Sequence, residues 1–388
     1  MEFKRAERLN HFQTGIFAAL DEKKSELIKA GRKVYNLSVG TPDFRPLEHI
    51  MKAVAESVNN PEDYKYSLVD SEEMLNAVVD YYADRYNTVI KADEITAVRG
   101  TQEGMAHLGM AILNPGDVVL LPDPGYPVFE AGSYLGGAEV YYYPLLRENN
   151  FLPVIEDIPE DILNKTKYIV LSYPSNPVGA SAPKEMYIRM IEYAKKYNFA
   201  IINDNAYSDI IFDGREGFSF LSLPGAKDVG VEFFSLSKSY NVTGLRISFC
   251  IGNKSIIDAF KLLRSQYDFG MSYPAQKAAI AALRGPRDSV KAQCAEYQRR
   301  RDALLNGLRK YGWNVPDSHG TMFVWLPVPE GYTSASFTEA LMDKAGVIGT
   351  PGTAFGPLGE GYIRFALTKS AEELAVIADV IGQSGVLS

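Results

Sequence analysis

Apolar positions follow two rhythms along this chain. From Glu94 onward, runs of consecutive apolar residues alternate with stretches of helical period. The runs predict strands at Ile95–Val98, Val118–Leu121, Glu139–Tyr143, Tyr168–Leu171, Phe199–Ile202, Val231–Phe234 and Ile247–Ile251. Helices fit between several of them, notably Gln102–Leu113 and Lys184–Tyr197. Strands buried on both faces need helical crossovers to cover them, so the expected class is α/β, with a mostly parallel seven-stranded sheet flanked by helices. Ahead of this region Ile16, Leu20, Leu27 and Ile28 recur at helical spacing and predict an amphipathic helix over His11–Ala30. A short strand from Val34 then runs into a turn at Gly40-Thr41-Pro42, and helices follow at Leu47–Ser57 and Glu72–Arg85. Beyond Pro274 the chain is helical through Leu283, and a long helix spans Arg287–Tyr311. Its stripe of Leu304, Leu305 and Leu308 is expected to be buried, with Arg299, Arg300 and Arg301 on the solvated face. Strands at Thr321–Leu326, Gly346–Gly352 and Gly361–Leu367, interleaved with helices at Ser336–Ala345 and Ala371–Ile381, suggest a second, smaller α+β unit.

At 388 residues the chain exceeds what one hydrophobic core usually serves, which fits two subdomains. The balance of 40 basic against 48 acidic side chains gives −8, the wrong sign for a phosphate-backbone binder, so no nucleic acid partner is expected. Two cysteines make no disulfide framework, and four scattered histidines show no ligand spacing, so no metal is expected. No apolar run is long enough to span a bilayer, and the charged start Met1-Glu2-Phe3-Lys4-Arg5 is unlike a signal peptide. A cytoplasmic setting is expected.

Chemistry concentrates where strands end, which is where open sheets of this kind bind ligands. Phe233-Phe234-Ser235-Leu236-Ser237-Lys238-Ser239 runs through a glycine turn to Arg246, with apolar stretches on either side. Hydroxyls, a lysine and an arginine there are expensive to bury unless a bound group satisfies them. They suit an aldehyde cofactor that carries a phosphate: Lys238 for a Schiff base; Ser235, Ser237 and Arg246 for the dianion. A loop lysine reaching into solvent is the plainer alternative. Asp204 and Tyr207 follow the strand ending at Ile202; the carboxylate suits a protonated pyridine nitrogen and the tyrosine a ring hydroxyl, or the segment is an Asx-turn. Gly100, Thr101 and Gln102 join a strand to a helix N-terminus, which suits a phosphate or is an ordinary cap by Thr101. Tyr126 offers a stacking ring, Asn176 an amide in a turn, and Gly40 close backbone approach. Arg364 alternates with Ile363 and Phe365, which suits a carboxylate clamp or an edge-strand salt bridge.

Together, Gly40-Thr41-Pro42-Asp43-Phe44, Gly100-Thr101-Gln102, Tyr126, Asn176-Pro177-x-Gly179, Asp204-x-x-Tyr207, Ser235-x-Ser-Lys238, Arg246 and Arg364 resemble the fold-type I pyridoxal-phosphate aminotransferases of class I/II, over nearly the whole chain. The resemblance implies a cofactor, pyridoxal 5′-phosphate, bound covalently by Lys238, which then shuttles the substrate proton. It implies Asp204 at the pyridine nitrogen, Asn176 and Tyr207 at the ring oxygen, and Tyr126 against the ring. Thr101, Gln102, Ser235, Ser237 and Arg246 would surround the phosphate; Arg364, with Asn176 and the Gly40 backbone, would bind the α-carboxylate. Tyr66 would reach the phosphate of a neighbouring subunit, so a homodimer with shared active sites is implied. The expected division is 1–44 as N-terminal arm and part of the small domain, 45–285 as cofactor domain and 286–388 as small domain. Small-molecule partners follow: an L-amino acid and a 2-oxo acid, with 2-oxoglutarate the expected acceptor. Ser219–Gly230, and Gly331–Ser334 through Thr350–Gly356, look most like LL-diaminopimelate aminotransferases. Val69-Asp70-Ser71 and Ser175 depart from the family's usual pattern and Leu245 from that subgroup's, so aspartate, alanine or aromatic donors and a C–S β-lyase on the same fold stay open. A transcriptional regulator on this fold would carry a DNA-binding module ahead of it, and the family pattern already begins by Gly40.

Overall fold

Seven strands build the central sheet: β1 (Ile95–Val98), β2 (Val118–Asp123), β3 (Glu139–Pro144), β4 (Thr166–Leu171), β5 (Ala200–Asn205), β6 (Gly230–Ser235) and β7 (Ser248–Gly252). They lie in the order β1-β7-β6-β5-β4-β2-β3 in the computed structural model, which describes residues 3–12 and 16–387. Every pair is parallel except those of β7, which runs antiparallel to both β6 and β1. Each predicted strand overlaps an observed one. The helices are α1 (Ile16–Lys29), α2 (Glu48–Val58), α3 (Glu72–Tyr86), α4 (Thr101–Ile112), α5 (Val128–Gly136), α6 (Lys184–Tyr197), α7 (Lys254–Tyr267), α8 (Tyr273–Arg284), α9 (Asp288–Lys310), α10 (Ser334–Ala340) and α11 (Ala371–Gln383).

Both faces of the sheet are covered, as continuous apolar strands require. One core joins α2, α3, α6 and α8 to the sheet through Ile50, Met74, Met190 and Ala278. The opposite face receives Met105, Leu108, Phe129, Ile257 and Phe260 from α4, α5 and α7. A separate core, with Leu304, Leu308, Phe337, Phe365 and Ile377, lies among α9, α10, α11 and a small antiparallel sheet of β8 (Phe323–Pro327), β9 (Thr350–Pro351) and β10 (Tyr362–Ala366). Tyr35 and Leu37 belong to this last core, and Tyr35–Asn36 pairs with Val347–Ile348. Among the described residues no helix is long and apolar enough to cross a membrane.

Three expectations are corrected. Gly346–Gly352 is not one strand: Val347–Ile348 and Thr350–Pro351 join different sheets. The chain changes sheet at Gly349, packed so tightly on Phe365 that a Cβ there would lie 2.5 Å from its ring. The helix predicted over His11–Ala30 is instead a 3-10 turn at Glu7–His11 and α1, with 13–15 outside the described residues; Leu27 is buried and Ile28 exposed. Arg300 and Arg301 are buried, and only Arg299 of the three lies on the solvated face. They precede Leu304 and Leu305 by four residues, so the helical period turns them to the apolar side. There Arg300 pairs with Asp43 and Arg301 with Asp213.

Candidate active site

β5 and β6 end side by side, with Asp204 in register with Phe233 and Asn205 with Phe234. Ser235 closes β6, and its Oγ accepts from the Ser237 amide at 3.2 Å, which turns the chain into a single helical turn, Leu236–Ser239. That turn presents Lys238. Its Nζ donates to the Gly40 carbonyl at 2.8 Å, while Gln293 of α9 donates to its backbone carbonyl at 2.7 Å. Burial first, then the positive charges of Arg364 and Arg246, lower the Lys238 amine to a pKa of about 8. An amine so placed is partly unprotonated, and to that extent nucleophilic, near neutral pH.

Asp204 carries the opposite perturbation. Its carboxyl is raised to about 7, by burial first and then by Glu232, and its Oδ1 is buried without a hydrogen-bond partner. Because side chains alternate along a strand, the flanking Asn203 and Asn205 point to the other face of the sheet. There both amides donate to Glu232, at 2.9 and 3.0 Å. This fully buried carboxylate also accepts from Tyr82 Oη, Ser219 Oγ and the Phe220 amide, at 2.8, 2.7 and 2.8 Å. Five donors explain how a carboxylate survives there, although burial still pushes its pKa up.

Arg364 lies on β10. Nη1 donates to Asn176 Oδ1 at 2.7 Å and Nη2 to the Ser38 carbonyl at 3.1 Å, while the buried Nε has no partner. The rings of Phe323 and Phe355 lie 4.0 and 4.5 Å from its guanidinium, and burial lowers its pKa to about 10. Its partners are an amide and a carbonyl, so the edge-strand salt bridge is not formed among the described residues. Gly100 has a φ of +91°, and a Cβ on it would sit 2.0 Å from Arg246 Nη2. The backbone conformation calls for glycine there, and a larger residue would also displace the Arg246 guanidinium. Gly100 is the N-cap of α4, so the cap is not Thr101, which begins the helix. Ser248 Oγ donates to Ser235 Oγ at 3.0 Å behind this corner, and among the described residues Arg246 Nη1 donates only to the Thr243 carbonyl, at 3.1 Å.

Gly40, Gly100, Thr101, Gln102, Tyr126, Asn176, Asp204, Tyr207, Ser235, Ser237, Lys238, Arg246 and Arg364 all line one cleft of about 460 Å³. Tyr66 does not: it lies 82% exposed, with its ring edge-on to Phe269. Burial raises the Tyr126 and Tyr207 hydroxyls above their usual range, so both stay protonated donors. Ser38, Thr243 and Phe323 also line the cleft, and Glu232 and Gln293 stand behind it; sequence reasoning named none of them. The arrangement places a nucleophilic amine and an unpartnered carboxylate between two guanidiniums, each suited to an anion.

The sequence pattern of the family described as aminotransferase class I and II matches residues 32–381, and the chain belongs to that family. It is an aminotransferase. Among curated relatives it is 42% identical to the LL-diaminopimelate aminotransferase of Dehalococcoides mccartyi strain 195, over 96% of each chain. It is 41% identical to that of Aquifex aeolicus, over 98% of each. Among solved structures it is similar to substrate-bound BacF from Bacillus subtilis, with a TM-score of 0.94 and 32% identity over 99% of this chain and 98% of that one. An aminotransferase from Staphylococcus aureus gives 0.91 and 31%, over 99% and 100%. The expected fold class and reaction class are both borne out.

Proposed function

We propose that this enzyme uses pyridoxal 5′-phosphate to move the amino group of LL-diaminopimelate to a 2-oxo acid, 2-oxoglutarate in the first instance. The observation that carries the cofactor is the buried, unpartnered Asp204 oxygen in the same cleft as a lysine amine of lowered proton affinity. The corner at Gly100, which a Cβ would fill, supports it at the phosphate end. The donor rests on the relatives at 41–42% identity. When bound, the cofactor supplies an electron sink for charge developing at the substrate α-carbon.

The chain's residues divide the remaining work. Asp204 would keep a proton on the ring nitrogen, Asn176 and Tyr207 would donate to the ring oxygen, and Tyr126 would stack on the ring. Thr101, Gln102, Ser235, Ser237 and Arg246 hold the phosphate, with Gly100 allowing the approach. Arg364 receives the α-carboxylate, assisted by Asn176 and the Gly40 backbone. Lys238 would hold the cofactor through its aldehyde, and its freed amine would serve as the base for the substrate α-proton and then return that proton as an acid. Its lowered pKa leaves part of the amine unprotonated near neutral pH, as a base requires.

A second copy of the chain completes the picture. Tyr66, Leu68, Val69 and Phe269 are large, exposed and close in sequence or space, an apolar surface that supports a homodimer with Tyr66 reaching its neighbour's phosphate site. Segments 1–44, 45–285 and 286–388 act as arm, cofactor domain and small domain. The unpaired thiols of Cys250 and Cys294 suit the reducing cytoplasm.

The test is a panel of donors with 2-oxoglutarate, read by glutamate formation: LL-diaminopimelate, aspartate, alanine, phenylalanine and methionine. LL-diaminopimelate should give the highest kcat/KM, and a higher value for another donor replaces it. Pyruvate and ammonia released from a β-substituted amino acid without any 2-oxo acid would instead mark a β-lyase.

A further inference from the structure

One wall of the cleft is a strap. Ser38, Val39, Gly40 and Thr41 line it, and the two ends of the strap are fastened differently. At the first end the small domain grips the backbone. The Leu37 amide donates to the Ile348 carbonyl at 2.8 Å and its carbonyl accepts from the Ala366 amide at 2.7 Å. The Ser38 carbonyl accepts from Arg364 at 3.1 Å and from Thr350 Oγ1 at 3.3 Å. From Val39 to Pro42, the one hydrogen bond among the described residues is the Lys238 amine on the Gly40 carbonyl. The second end hangs on a side chain. Arg300 of α9 grips Asp43 with both Nη atoms, at 2.7 and 2.9 Å, and its plane lies 4.5 Å from the Phe44 ring. The same Nη1 donates to the Leu367 carbonyl at 3.0 Å, three residues beyond Arg364, and Nε donates to Glu296 at 2.9 Å.

We propose that Arg300 is a positioning residue for the amino donor. Through Asp43 it sets the height of the Val39–Pro42 strap over the cleft, and through Leu367 it references that height to the strand carrying Arg364. The strap between its two fastenings is too short to absorb a displaced end, so movement at Asp43 moves Gly40. Arg300 is buried and held in a planar fork by three partners, which a lysine does not reproduce. Asp43 is partly exposed and has no other cation within reach among the described residues, so losing Arg300 frees the strap end. The proposal rests on the reading of the cleft as the donor site.

The test uses the full-length protein, with and without cofactor, as Asp43→Asn and Arg300→Lys. Asp43→Asn tests the latch where a side chain can change without opening the core, should Arg300→Lys fail to fold. Both variants should speed hydrogen exchange at the Leu37 amide, which fastens the strap to Ile348, and at the Ala366 amide, which donates to Leu37, by about tenfold or more in the cofactor-free protein, while α9 keeps its wild-type protection. In the holoenzyme, donor KM should rise roughly tenfold while kcat falls less than about threefold, the pattern of lost uniform binding. Wild-type exchange at these two amides in Asp43→Asn, or donor KM unchanged in both variants, overturns the proposal. So does exchange rising equally in α9 and at these amides, which marks Arg300 as general support. The exchange measurement needs no turnover, so a wild-type protein inactive toward every donor would sink the reaction while the strap result stood.

Discussion

Burial moves the proton affinities of Lys238 and Asp204 in opposite directions, down for the amine and up for the carboxyl. Lys238→Ala is expected to abolish transamination while the cofactor still binds non-covalently, checked by absorbance and single-turnover assays; ordinary turnover would remove the lysine from its role. For Asp204 the sign can be worked out. Its folded pKa of about 7 lies above the ordinary value of 3.8, so the folded state holds a proton that the unfolded chain releases, and stability falls as pH rises across that window. Asp204→Asn is therefore expected to raise the melting temperature of the cofactor-free protein at about pH 8 and to lose that advantage near pH 4. The same change should cut kcat by roughly two to three orders of magnitude, because the ring-charge partner acts in the transition state. Equal melting at both pH values would refute the assignment. Both residues were legible in sequence because each stands at the end of an apolar run, where a polar side chain is conspicuous. Glu232 was not: it sits inside its run, and its five donors come from positions 82, 203, 205, 219 and 220, which only the folded sheet collects.

Among the elements, the sheet was readable because its strands are apolar throughout, whereas α5 was missed for a physical reason. It carries Gly132 and Gly136 and meets α4 backbone to backbone: a Cβ on Gly109 would lie 2.1 Å from the Gly132 carbonyl oxygen. Glycine weakens the helical signal at the place where tertiary contact demands it. Gly109→Ala should push the two helices apart and cost about 2–3 kcal/mol in urea unfolding. Since α4 begins with Thr101 in the cleft, cofactor affinity should weaken with it; unchanged stability would show that the pair can shift freely. The buried Arg300 and Arg301 carry the complementary lesson. Their spacing from Leu304 and Leu305 already turned them inward, but a run of three arginines reads as solvent-facing until Asp43 and Asp213 are seen waiting.

For the whole molecule, the cleft draws on three distant parts of the chain: Gly40, the strand ends from Gly100 to Arg246, and Arg364. Family spacing placed these in order, but the side chains between them, Phe323 and Gln293 among them, depend on how the small core docks. The proposed homodimer makes a prediction here. A Lys238→Ala protomer and one bearing Tyr66→Ala should each be impaired alone. Mixed and refolded in equal amounts, half the dimers are heterodimers with one intact site in two, so about a quarter of wild-type activity should return. No recovery above the sum of the separate variants would exclude shared sites. Asp204 Oδ1 and Arg364 Nε meanwhile line the cleft as buried polar atoms without a hydrogen-bond partner among the described residues. A ligand that binds the folded state alone adds to its stability in proportion to its supply. The cellular lifetime of this protein is thus expected to follow vitamin B6 nutrition, with starved cells clearing it faster in a pulse-chase before its synthesis changes at all.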